Sequence, residues 1–168
     1  MIRQQFMLVQ SFIRDGQKLQ PVEVELTMWP GLPGIHFLGL PDQHLKESAL
    51  RIKSAIKHQG FKFPSSQQIL VNLRPSYLKK NSRGLELAVA AAYLWETEQV
   101  AKPIMDSKSF IYGELSLLGE VMAPADLKTD WHNDESVVWS GAMEGLNFKS
   151  FQIKKLQDLK NPNLSISK

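Results

Sequence analysis

A chain of 168 residues with 43% hydrophobic and 22% charged side chains suits one soluble globular domain, and its lack of cysteine excludes a disulfide framework. Lys and Arg number 20 against 17 acidic residues, a net charge of +3, so affinity for a polyanion must come from where charges sit rather than from their sum. No apolar run approaches the ~18–20 residues that cross a bilayer, and the first residues lack the apolar core of a signal peptide, so no membrane contact and a cytoplasmic location are expected.

Residues 6–14 are rich in strand formers and stop at the turn pair Asp15-Gly16. Residues 22–28 then alternate strictly, with Val22, Val24, Leu26 and Met28 on one face, which predicts a half-buried strand paired with the first across a hairpin at 15–19. Pro30, Gly31, Pro33 and Gly34 punctuate the chain before a third strand at 35–40, where Gly39 predicts a bulge or a close backbone approach. Asp42 reads as a helix N-cap and Gly60 as the stop of the same helix. Between them Leu45, Ala49, Ile52 and Ile56 recur at spacings of four, three and four, which puts them on one face. The other faces carry His44, Lys46, Arg51, Lys53, Lys57 and His58, and Glu47 stands one helical turn from Arg51.

Pro64-Ser65-Ser66 breaks the chain, and 68–73 is a short apolar strand closed by Arg74-Pro75. A second helix starts near Gly84, with Leu85, Ala88, Val89, Ala92 and Trp95 as its buried stripe. Residues 110–118 read as one strand and Val121-Met122 as its return across Gly119-Glu120. Residues 126–135 are polar, a loop or frayed helix. Short strands are expected at 136–140 and 149–153, with a short helix at 154–159. The expected organisation is a single α+β domain over 1–160, in the order β-β-β-α-β-α-β-β with a weaker βαβ-like continuation, followed by a mobile tail at 161–168.

Catalytic motifs are sparse. None of the ten glycines precedes a lysine, so the Gly-Lys step of a phosphate-binding P-loop is missing. His44 and His58 would lie ~21 Å apart along one helix, too far to share a metal, and no cofactor is expected. The basic residues carry the better signal: Lys46, Arg51, Lys53 and Lys57 on the helix, with Arg74, Lys79, Lys80 and Arg83 around the following loop, could line phosphates. The same residues also fit a solvated surface, and aromatic partners for bases are missing apart from Tyr77. Ser82 and Lys128 offer the residue types of a Ser-Lys dyad.

The segments Gly31-Leu-Pro-Gly-Ile-His-Phe-Leu-Gly-Leu-Pro-Asp42, Arg51-Ile-Lys-Ser-Ala-Ile56, Gly60-Phe-Lys-Phe-Pro64, Val71-Asn-Leu-Arg-Pro75 and Lys80-Asn-Ser-Arg-Gly-Leu-Glu-Leu87 together resemble, in order, the N-terminal domain of the magnesium-chelatase-like AAA+ proteins, the group that contains the competence protein ComM. The resemblance covers roughly residues 5–128. It implies the ribosomal protein S5 domain 2-like fold shared with the proteolytic domain of Lon. Residues 113–121 are similar to the Gly-Glu strand of Lon. That match puts Lys128 on the catalytic lysine and Gly84 on the nucleophile position, a vestigial site without its nucleophile. Members of the family continue into an AAA+ module with a P-loop and a zinc-binding insertion, so the resemblance implies either a fragment or a stand-alone relative without the motor. It further implies ring-like homo-oligomeric assembly and DNA contact through the basic loops. Two other readings stay open: an interaction module that docks onto a separate AAA+ ATPase, and a degenerate Ser-Lys peptidase.

Overall fold

The computed structural model describes residues 6–16, 18–39, 43–74 and 83–165. It is a mixed α/β structure. Strands β1 (Phe6–Asp15) and β2 (Lys18–Pro30) form the expected hairpin, with Asp15 opposite Lys18. Strand β3 (Gly34–Phe37), helix α1 (Gln43–His58) and strand β4 (Gln67–Arg74) follow. The first sheet runs β1-β2-β4-β3, with β4 antiparallel to β2 and parallel to β3. Strand β2 is longer than its alternating core predicts, because β4 continues the ladder as far as Pro30 opposite Gln67. Strand β3 ends before the predicted residue 40: Gly39 has φ +93, a left-handed conformation that breaks the ladder.

Helix α2 (Leu85–Glu96) is the centre of the molecule. A single stripe is expected of it, yet every residue from Leu85 to Trp95 is buried. A helix apolar all round must be enclosed, and α2 packs against β1, β2, α1 and the short elements that follow it. Val22, Val24, Leu26, Ile69, Val71 and Leu73 from the sheet and Leu45, Ile52 and Ile56 from α1 complete the main core.

The single strand expected at 110–118 is divided. Strand β5 (Ser109–Ile111) and strand β6 (Glu114–Leu115) are separated at Gly113, which turns against the start of α2. The Gly113 N–H donates to the Gly84 carbonyl at 2.8 Å, and the Leu87 N–H donates to the Gly113 carbonyl at 3.0 Å. One of the helix's orphan amides is satisfied there by backbone rather than by a capping side chain. A Cβ at Gly113 would stand 2.9 Å from Val121 Cγ1, so the close approach needs glycine. Strand β7 (Val121–Met122) pairs with β6 as the predicted return.

The polar stretch after it contains helix α3 (Ala125–Asp130). Strand β8 (Val137–Ser140) and strand β9 (Lys149–Gln152) lie parallel beside β5. A 3-10 helix occupies Leu156–Lys160. Asn163–Ser165 forms strand β10 antiparallel to β9, within the segment 161–168 expected as a mobile tail. A second, smaller core joins the hairpin end to this half: Phe12 stacks on Phe110 at 4.6 Å, with Tyr112, Leu127 and Phe148 around them. Among the described residues, no helix is long and apolar enough to cross a membrane.

Candidate nucleic-acid interface

Helix α1 places its charges by simple periodicity. Leu45, Ser48, Ile52, Ala55 and Ile56 face the core. Lys46, Leu50, Lys53 and Lys57, again spaced four, three and four, share the side turned away from it. Lys46 and Lys57 are exposed and Lys53 is half-buried, its Nζ 5.3 Å from the Phe63 ring centre, a cation-π contact that steadies the side chain. Leu50 stands 69% exposed in the middle of the stripe. Among the described residues none of these three lysines forms an ion pair. Lys57 and His58 also occupy the last turn, where the helix dipole favours positive charge.

Arg51 has a different setting. Its Nε donates to Glu86 Oε2 at 2.8 Å, and its Nη1 lies 3.8 Å from Glu47, the partner one turn away that the spacing predicts. Glu86 is buried in the first turn of α2. Its carboxylate also accepts from Ser48 Oγ at 2.5 Å and from the Leu115 N–H at 2.9 Å. A buried carboxylate is tolerable only when its lone pairs are filled in this way. The same network draws α1, α2 and β6 together. Arg74, at the end of β4, is likewise engaged, with Glu23 at 2.5 Å and Glu25 at 2.7 Å across the open face of the sheet. Two of the arginines expected to meet phosphate are thus partnered by carboxylates inside the protein.

Arg83 is exposed just before α2. It stands near Glu114, as Arg51 does. Burial, and next the Glu86 charge, push the Glu114 carboxyl above its ordinary value; Arg83 and Arg51 pull it back. Arg83 and Arg51 thus share the electrostatic surroundings of Glu114. Lys79, Lys80, Tyr77, Ser82 and the N-cap candidate Asp42 lie outside the described residues.

Gly84, which the resemblance to Lon puts at the nucleophile position, adjoins Arg83. Gly84 is buried, and a Cβ there would stand 2.1 Å from Tyr112 Cε1. The Tyr112 ring, itself 1% exposed, occupies the space in which a nucleophile side chain would project. Its hydroxyl donates to the Asp126 carboxylate at 3.2 Å. Asp126 and Asp130 of α3 also bind Arg14 at 3.2 and 2.6 Å. Lys128 is on α3 but exposed, and its Nζ lies beside Gly145 rather than in a dry pocket. No group of three or more His, Asp or Glu side chains suited to a metal occurs among the described residues. Sequence reading missed Glu86 and Tyr112; the one signal for Glu86 was a carboxylate in an otherwise apolar helix.

Comparison with known proteins agrees with the sequence motifs. The family model described as subunit ChlI of Mg-chelatase matches residues 22–129. The chain is 36% identical over 104 residues to the uncharacterized protein YifB of Escherichia coli, an alignment covering 62% of this chain and 20% of that protein. It is 31% identical over 114 residues to the competence protein ComM of Haemophilus influenzae, covering 68% of this chain and 22% of that one. An uncharacterized protein of Mycobacterium tuberculosis is 39% identical over 101 residues, 60% of this chain and 20% of its own length. The chain thus spans about a fifth of the length of these relatives. The stripe on α1, Gly84 and Lys128 all fall inside the matched segment, and on that match the chain belongs to the magnesium-chelatase subunit ChlI family.

Proposed function

We propose that this chain is a non-catalytic, cytoplasmic domain of a ComM- or magnesium-chelatase-like protein, with the S5 domain 2-like fold, that contributes DNA contact to a ring-like assembly. The stripe Lys46-Leu50-Lys53-Lys57 on the outer face of α1 carries the reading. It aligns three ammonium groups, none of them in an ion pair among the described residues, along one side of the helix, and Arg83, exposed just before α2, supplies a fourth cation. Such a ridge suits backbone phosphates and carries no base code, so the expected binding is insensitive to sequence. Lys79 and Lys80, close before Arg83 in the sequence and outside the described residues, belong to the same proposed phosphate contacts. Arg51 and Arg74 enter it only as charges shared with Glu86, Glu23 and Glu25. The run β-β-β-α-β-α at the start of the element order supports the fold assignment.

The site that a Lon-like peptidase would need supports the non-catalytic reading. Tyr112 fills the nucleophile position at Gly84, and Lys128 is solvated rather than desolvated as a catalytic base must be.

Fluorescence anisotropy with single- and double-stranded DNA tests the reading. Affinity should fall steeply with salt. The double reversal Lys53→Glu with Lys57→Glu should weaken binding to all sequences alike and reduce the logarithmic salt slope by about 2. An unchanged slope in a folded double variant would remove the helix ridge from the interface.

A further inference from the structure

The turn between β6 and β7 presents two adjacent leucines to solvent, Leu117 at 58% and Leu118 at 55% exposure. Single exposed leucines are ordinary, but this pair is held outward. Ser54 Oγ of α1 donates to the Leu117 carbonyl at 2.8 Å, and Gln59 Nε2 donates to the Leu118 carbonyl at 2.8 Å. Gly119, with φ +87, is buried against α1, where a Cβ would stand 2.4 Å from Gln59 Cγ and 3.1 Å from the Ala55 carbonyl oxygen. From the other side the Leu156 N–H donates to the Gly119 carbonyl at 3.0 Å. Inside the turn, the Glu120 N–H donates to Ser116 Oγ at 3.0 Å and the Ser116 N–H to the Glu120 carbonyl at 2.9 Å. Both leucine carbonyls are thus tied to the C-terminal end of α1 and the residue after it, which fixes the backbone from which the two exposed side chains project. Preorganised apolar anchors of this kind lose little freedom on binding.

The rim around them is basic. Lys57 and His58 end α1 beside Ser54, with His58 Nδ1 3.2 Å from Ser54 Oγ. Lys154 and Lys155 are exposed behind the hairpin: the Val121 N–H donates to the Lys154 carbonyl, and Lys155 bridges Glu120 through the backbone. Asp158 accepts from the amides of Lys154 and Lys155, which occupies one carboxylate oxygen, while Glu120 is exposed within the rim.

We propose that this face docks an acidic amphipathic helix of another protein, whose apolar stripe covers Leu117 and Leu118 and whose carboxylates meet Lys57, Lys154 and Lys155. Charge complementarity selects the occupant. The negative Glu120 within a positive rim favours a patterned protein partner over a uniformly anionic lipid surface. A helix laid in this way is a common recognition mode, read through apolar anchors at helical spacing.

The test titrates the full chain with a fluorescent synthetic helix bearing leucines on one stripe and glutamates on its flanks. Saturable binding is expected. The double variant Leu117→Ser with Leu118→Ser should weaken it by about tenfold or more, the size expected for paired hot spots. The fold should survive, since both carbonyl bonds to α1 are made by the backbone, and circular dichroism checks this. Lys155→Glu should weaken the glutamate helix and strengthen a version with lysine flanks. The proposal is overturned if the wild-type chain does not bind the glutamate helix, binds the lysine version equally well, or holds it without the leucines. It is also overturned if the leucines serve instead in binding phosphatidylglycerol vesicles, or in self-association measured by sedimentation.

Discussion

At the scale of single residues, Gly84 and Tyr112 are in the closest approach of backbone to ring. The space beyond the Gly84 Cα is already filled by the Tyr112 ring, so Gly84→Ser does not restore a nucleophile. It should lower stability by about 3 kcal/mol through overpacking, measured by urea denaturation, and give no peptide cleavage. Combining it with Tyr112→Leu should cost less than the sum of the two single changes, because the second removes the atoms the first collides with. Glu114 makes a separate prediction. Burial first, and the Glu86 charge second, raise its carboxyl above the ordinary carboxylate value. Between that value and the raised one the folded protein holds a proton that the unfolded chain has released. Stability from this group therefore falls as pH rises through the window. Glu114→Gln should remove that slope and be more stable at neutral pH, which urea midpoints from about pH 5 to 8 would show. Asp130, hydrogen-bonded to Arg14, and Glu135, hydrogen-bonded to Lys108, are held below their ordinary values. Their contributions are lost as pH falls from the ordinary carboxylate value through the lowered one, the opposite direction from the Glu114 window.

At the scale of elements, α1 shows one helix serving two faces. Its inner residues close the core, its outer face carries Lys46, Lys53 and Lys57, and Ser54 in its last turns, with Gln59 just after it, clamps the β6–β7 hairpin. The hairpin depends on Gly119 for this. Gly119→Ala forces a side chain into a left-handed conformation and against Gln59, and should cost about 2 kcal/mol in a urea titration. Gly113 does the corresponding work at the start of α2, where its carbonyl takes the Leu87 amide. Gly113 explains why an apparently continuous run at 110–118 becomes two strands, and Gly119 how the turn after them fits against α1: each stands where backbone must approach a helix closely, a demand that alternation of side chains cannot reveal.

At the scale of the whole molecule, the main core and the smaller aromatic core meet around β1 and β5. Trp139 of β8 lies edge-on to Trp95 of α2 at 6.0 Å and against Phe151 of β9 at 4.7 Å, so it ties the second sheet to the central helix. Trp139→Ala should cost about 3–5 kcal/mol. A single domain over 1–160 further requires that near- and far-ultraviolet circular dichroism report one coincident transition on heating the wild type. Separate transitions would divide the chain into two units.

Strict alternation at 22–28, the turn pair at Asp15-Gly16 and the four-three-four spacing in α1 determined the hairpin, the first helix and its two faces from sequence alone. They are local patterns, fixed by the periods of strand and helix. The ordered motifs likewise pointed to the family. Tertiary structure alone decided that α2 is enclosed on every side, that Gly113 divides a strand, that residues 163–165 pair with β9, and that Arg51 and Arg74 are taken up by carboxylates from distant parts of the chain. Each of these depends on what lies opposite a residue in space: Glu86 reaches Arg51 across 35 positions and Tyr112 reaches Gly84 through the fold, and no spacing along the chain encodes such meetings.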